Sequence, residues 1–242
     1  MPYDLGRFGV TDMMRCRGEL RALFGVDPGT MAAAAQRVVE FFHRQLVDAH
    51  GTPACALVRF FKTERFEDLD DEQRQFALKT AGSATLDDDV RCLTLLATIG
   101  DDEQWNSPEQ SRGHRAIPLT SVEMVEQAPM IAQLIKQLGL SVASVVRPEA
   151  GLILDMDGRQ QNVFYVPRAL GSAHIVAQEE FVRPYGIASV IGLGGLITTG
   201  DMFALILFSR VPISREVADL FGVIGLNLKI AILPMMNRSL RS

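Results

Sequence analysis

Histidine, cysteine and carboxylate side chains carry most protein chemistry, so their spacing is the first question to put to this chain. The four histidines are His43, His50, His114 and His174, with no HxH or HExxH pair among them. His43 and His50 fall seven apart in what reads as one helix, on a similar face. A pair without a third ligand makes a poor metal site, so solvated surface histidines are expected. The three cysteines, Cys16, Cys55 and Cys92, are odd in number and form no CxxC. That argues against a disulfide framework or a zinc knuckle. Cys55 and Cys92 sit in two apolar runs, where a thiol usually serves as a small core residue. Redox catalysis by that pair is the alternative. The acidic runs Asp68–Glu72, Asp87–Asp89 and Asp101–Glu103 lack the D-x-D-x-D-G spacing of a calcium loop, and solvation accounts for them. Gly192-Leu193-Gly194-Gly195 precedes a strand rather than a helix and lacks the Lys and Ser/Thr of a P-loop. A strand bend or bulge is expected there.

The chain has 242 residues, is 48% hydrophobic and 22% charged, and carries a net charge of −5. These values fit one large domain, or one domain with extensions, and they disfavour non-specific binding to nucleic acid. Arg15, Arg17 and Arg21 read as a solvated helix face rather than a nucleic-acid patch. The opening MPYDLGRFGV has no basic start followed by an apolar core, and the longest apolar stretch, Val217–Leu233, is interrupted by Asp219, Asn227 and Lys229. No signal peptide and no membrane span are expected, which suggests a reduced, cytoplasmic setting.

The elements that must position any site follow from periodicity. Thr11–Phe24 has apolar residues at helical spacing and ends at Gly25. Met31–Ala49 is the clearest helix: Thr30 is its N-cap, and Met31, Ala35, Val38, Phe42 and Leu46 form one stripe. Ala54–Thr63 and Arg91–Ile99 read as strands, with a short helix through Phe76 and Leu78 between them. Gly100–Ala116 is a long polar insert, and inserts of this length tend to be functional or disordered. Ser121–Leu138 has a helical pattern broken by Pro129, so it is either one kinked helix or two shorter ones. Leu140–Val146 fits a helix or a short strand. Asp157-Gly158, between Leu152–Met156 and Asn162–Val166, signals a hairpin. Ser172–Tyr185 reads as a short helix stopped by Pro184.

The C-terminal run Gly186–Leu233 reads as strand (Ile187–Leu193), turn, strand (Met202–Phe208) and a long helix capped at Ser214 with Glu216 in its first turn. This ending, with a long amphipathic helix ahead of the first strand, resembles a GAF domain over about Thr30 to Leu233. The resemblance lies in the order of elements rather than in a motif. It implies an α+β fold: a central antiparallel sheet of about six strands, helices on both faces, and long N- and C-terminal helices packed together. The corresponding divisions are a helical extension over 1–29, a GAF-like domain over 30–235 and a short tail over 236–242.

A GAF-like ligand would sit between the sheet and the Gly100–Tyr185 region. The polar and aromatic candidates there are Trp105, Asn106, Arg112, His114, Tyr165, His174, Arg183 and Tyr185. The Asn-Lys-Phe-Asp-Glu pattern of cyclic-nucleotide-binding GAF domains is absent. No Cys-His pair exists for covalent bilin attachment, and the cofactor is left unknown. The expectation is a sensor that binds a small molecule or a protein partner and signals through a homodimer built on Met31–Ala49 and Val217–Leu233. It would act on a separate protein or form part of a larger sensor. The alternatives are a thiol-dependent enzyme of the methionine sulfoxide reductase type, with Cys55, Cys92 or His114 reactive, and a ligand-free dimerisation module.

Overall fold

The architecture is that of a computed structural model, which describes residues 1–148, 162–197 and 199–235. In chain order the elements are β1 (Tyr3–Asp4), α1 (Val10–Ala22), α2 (Met31–Gln45), β2 (Leu46–Val47), β3 (Cys55–Arg65), α3 (Asp71–Ala81), β4 (Arg91–Gly100), β5 (Ala116–Pro118), α4 (Val122–Glu126), α5 (Pro129–Gln137), α6 (Val142–Val146), β6 (Phe164–Val166), a π-helical turn (Gln178–Val182), β7 (Ser189–Leu196), β8 (Met202–Ser209) and α7 (Arg215–Ile232). The fold is α+β, as the order of elements implies.

A six-stranded antiparallel sheet runs β5-β4-β3-β8-β7-β6. Its first long strand, β3, is central, paired on one side with β4 and on the other with β8. A central strand is covered on both faces, which is why Cys55–Thr63 is almost continuously buried instead of alternating with polar residues. One face carries α2 over β3 and β4 and α7 over β7, with α1 laid along α7. Phe42 of α2 and Phe221 of α7 meet at 6.5 Å between ring centroids. The other face carries α4, α5, α6 and the π-helical turn, packed on Leu57, Phe61, Phe164 and Phe208.

Several boundaries differ from the periodicity reading. Helix α2 ends at Gln45 instead of Ala49. Leu46 and Val47 turn extended to pair in parallel with Tyr3 and Asp4. The Asp48 carboxylate then accepts the N–H groups of His50 (2.8 Å) and Thr52 (2.9 Å), closing the turn. His43 and His50 therefore share no helix. His43 is half-buried, with Nε2 enclosed and without a partner among the described residues, rather than solvated. Residues 1–10, which show no periodic pattern, bury Tyr3, Leu5 and Phe8, and Phe8 meets Phe221 at 4.9 Å.

The Gly100–Ala116 insert is not structureless. It forms 3-10 turns at Glu103–Trp105 and Pro108–Gln110 and leads into β5. Pro129 separates two helices and opens α5 at its first turn, where a missing N–H costs nothing. Leu140–Val146 resolves as α6 behind the Ser141 cap. The Ser172–Tyr185 helix is a π-helical turn. The Asp157-Gly158 hairpin signal and its first arm lie outside the described residues; the end of its second arm is β6, paired with β7. Gly192 and Gly194 belong to a continuous strand, not a bulge. A Cβ at Gly192 would stand 3.0 Å from Leu134, and one at Gly194 2.9 Å from Leu138, so the missing side chains let α5 lie close on the sheet.

Helix α7, extended by the turn Leu233–Met235, is long and apolar enough by length and composition to cross a membrane, with a mean hydropathy of 1.7 over Arg215–Met235. Here it serves as a core helix: Val217, Phe221, Ile224, Leu228 and Ile232 are buried in the core it shares with α1, α2 and the sheet.

Candidate ligand cavity

Alternation along β3 sends Leu57, Arg59 and Phe61 to one face of the sheet, where they floor a cavity of about 630 Å³. Leu93 of β4 and Ile206 and Phe208 of β8 complete that floor. Met130, Ile131 and Leu134 of α5 form one wall, and the insert supplies the other through Trp105 and Ser111–His114. Phe181 and Tyr185, placed by the π-helical turn, close over Trp105 at 5.4 and 4.4 Å between centroids. Phe181 also meets Phe208 edge-on at 5.0 Å. The volume and the mostly apolar lining are those of a small-molecule site.

Three hydrogen bonds hold the aromatic wall. Asp102 accepts the Gln104 N–H at 2.9 Å and the Tyr185 hydroxyl at 3.1 Å, tying the Trp105 turn to the π-helical turn. Asn106 Oδ1 accepts the Gly100 N–H at 2.9 Å. Gly100 is required by close approach: a Cβ there would lie 2.7 Å from the Ala56 carbonyl oxygen and 2.9 Å from the Trp105 ring.

Of the candidates named from sequence, Trp105, Arg112, His114, His174 and Tyr185 line this cavity. Asn106 does not line it but fixes the turn that presents Trp105. Tyr165 points elsewhere. Its N–H donates to Gln137 Oε1 at 2.6 Å, its hydroxyl donates to the Ile213 carbonyl, and it borders a second hollow of about 540 Å³ shared with His174. Arg183 is exposed and pairs with Glu179 at 2.8 Å.

The residue that sequence reasoning passed over is Arg59. Its Nε is buried without a hydrogen-bond partner, and the side chain has no ion pair among the described residues. Burial alone pushes its pKa down to about 10. The available signal was one arginine inside the otherwise apolar run ACALVRFF. His114 lines the cavity with more than a third of its surface exposed. Burial first, and the Arg59 charge second, push its pKa down to about 4, so it is a neutral imidazole at pH 7. Ser111 Oγ is likewise buried without a partner among the described residues. The cavity thus offers mostly apolar surface, a half-buried guanidinium on its floor, hydrogen-bonding groups in Ser111 and His114, and the charged side chains of Arg112, Asp102 and Glu180.

The cysteines are elsewhere. Cys55 lies in the core under α2 and α7, and Cys92 in a small cluster with Leu69 and Ala77. Burial pushes all three thiols up to about 12, away from the thiolate form. Among the described residues no three His, Cys, Asp or Glu side chains are grouped to hold a metal.

A separate buried polar cluster sits near the far end of β3. Lys62 Nζ lies 2.8 Å from Glu64 and 3.5 Å from Asp201, and Asp201 also pairs with Arg91 and accepts the Thr199 hydroxyl at 2.7 Å. Glu64 Oε2 has no partner among the described residues, and burial holds its carboxyl above the usual range despite Lys62.

No family model matches this chain, and no curated protein matches it significantly.

Proposed function

We propose that this chain is a GAF-like sensor module that binds a small molecule in the cavity over β3 and signals through a helical homodimer. The observation that carries this reading is the convergence of Trp105, Arg112, His114, His174 and Tyr185 on a single mostly apolar cavity of about 630 Å³. Support for the frame comes from the six-stranded antiparallel sheet with helices on both faces. Strand β3 supplies a route for coupling. Leu57, Arg59 and Phe61 face the cavity, while Val58 and Phe60 pack into the helical layer on the opposite face. A ligand that favours one packing of that layer shifts its population.

The dimer reading needs apolar surface outside the protomer's own core. Helix α2 spends Met31, Ala35, Val38 and Phe42 inside that core. Helix α7 leaves Leu226 43% and Ile230 59% exposed, and α1 leaves Val10 and Met14 exposed. The proposed interface is therefore α7 with α1.

Trp105, the only tryptophan, reports on the cavity directly. Native mass spectrometry of the purified protein, followed by a metabolite screen read by Trp105 emission and thermal shift, tests the reading. Expected is a dimer that carries or takes up a small molecule with a change in Trp105 emission. A monomer with a silent tryptophan across the screen refutes it and favours a ligand-free module. The thiol-enzyme alternative lacks an accessible thiolate, and a Cys55→Ser, Cys92→Ser double variant is expected to retain ligand response.

A further inference from the structure

Resting on the cavity reading, we infer that the ligand is a monoanion, a carboxylate carried on an apolar or aromatic body, with the carboxylate seated on Arg59. The floor of the cavity is apolar except for this one guanidinium, set on the central strand between Ile206 of β8 and Thr98 of β4. Its buried Nε–H donates to nothing among the described residues. A buried donor without an acceptor is costly, and the half-buried Arg59 side chain has no ion pair among the described residues to balance its charge. Ser111 Oγ on the same cavity wall is in the same condition. A carboxylate satisfies both, taking a forked pair of N–H bonds from Arg59 and an O–H bond from Ser111.

Charge count sets the ligand's valence. Asp102 and Glu180 also line the cavity, but neither forms an ion pair with Arg59, and Asp102 is held by the Tyr185 hydroxyl. His114 is neutral at pH 7, so it adds hydrogen bonding without a positive charge. Arg112 also lines the cavity as an exposed side chain, so two guanidiniums stand against the two carboxylates, and a phosphate monoester, near two negative charges, would leave more charge uncompensated than a carboxylate does. The rest of the surface asks for an apolar body: Trp105, Phe181, Tyr185 and Phe208 present ring faces and edges, and α5 adds Ile131 and Leu134.

The test uses two fluorescent probes that differ by one anionic group, anilinonaphthalene sulfonate and N-phenylnaphthylamine, with the sulfonate standing in for the carboxylate. Wild-type protein is expected to bind the sulfonate more tightly. Arg59→Gln is expected to weaken sulfonate binding by about 10- to 100-fold while leaving the neutral probe within about 3-fold. Naphthaleneacetate is expected to displace the bound sulfonate from wild-type protein, and naphthaleneacetamide to do so much less. That comparison needs no variant, so it stands even if Arg59→Gln fails to fold. Equal potency of acid and amide, or an Arg59→Gln variant that treats both probes alike, overturns the anion inference while Trp105 quenching by the neutral probe preserves the cavity reading. Absence of Trp105 response to either probe overturns both.

Discussion

Gly100→Ala probes the one place where backbone, cavity wall and reporter group meet. The added methyl would lie 2.7 Å from the Ala56 oxygen, 2.9 Å from the Trp105 ring and 3.1 Å from Leu57 Cδ1. The Ala56 oxygen has little freedom to move, because it accepts the Asp101 N–H at 3.1 Å and the neighbouring Leu57 is in register with Gly100. Trp105 must therefore yield, and with it its contact with Tyr185. Overpacking of this kind costs about 1–3 kcal/mol, and replacing glycine in a strand returns about 0.5–1 kcal/mol of backbone entropy. The net expectation is a loss of about 1 kcal/mol and at most about 2.5 kcal/mol, or roughly 2–4 °C in Tm per kcal/mol for a domain of this size. Urea unfolding with thermal denaturation measures the loss, and the Trp105 emission maximum, expected to shift to the red, measures the displacement. Asn106→Ala is the control: it removes the hydrogen bond to Gly100 without adding volume, at a cost of about 1 kcal/mol. A Gly100→Ala variant as stable as wild type, with unshifted emission, would refute the claim that Gly100 is needed for the approach of Trp105.

Glu64 is held above the usual carboxylate range by burial, so its protonated form favours the folded state; the stability this contributes is complete below its unfolded pKa and is lost as pH rises through its folded pKa. The Tm of wild type relative to Glu64→Gln should therefore rise as pH falls from neutral, and a flat or inverted difference contradicts this. Asp201→Asn leaves Arg91 without its buried partner and Lys62 with only Glu64, so a loss of about 3 kcal/mol is expected in urea unfolding, and stability equal to wild type contradicts this. Ile230→Glu, on the exposed side of α7, should change protomer stability by about 0.5 kcal/mol or less while converting dimer to monomer in sedimentation velocity; a dimer that survives it places the interface elsewhere.

Much of the frame was readable in the chain because its signals are local. The Thr30 and Ser214 caps, the stripe through Val38 and Phe42, and the apolar runs of β3, β4, β7 and β8 depend on residues a few positions apart. The aromatic members of the cavity wall were legible for a related reason, since Trp105, Tyr185 and His114 stand out within polar segments. What periodicity could not supply is pairing at a distance. Residues 1–10 look patternless because Tyr3 and Asp4 obtain their partners from Leu46 and Val47, and that same pairing ends α2 early. The glycines of β7 read as a break because their reason, the approach of Leu134 and Leu138, lies on another element.

Arg59 marks the division most sharply. Local order determines that it sits in a strand, on the face shared by Leu57 and Phe61. Whether it meets a carboxylate, reaches water or lies unpaired depends on which side chains β4, β8, the insert and the π-helical turn bring over it. Sequence alone determined the main helices and strands and their order, because periodicity and caps are short-range; the antiparallel sheet and the region of the cavity were expected only from the resemblance in that order. Tertiary structure decided the unpartnered Arg59 Nε, the lowered pKa of His114 and the aromatic closure, because desolvation and charge pairing are set by atoms far apart in the chain.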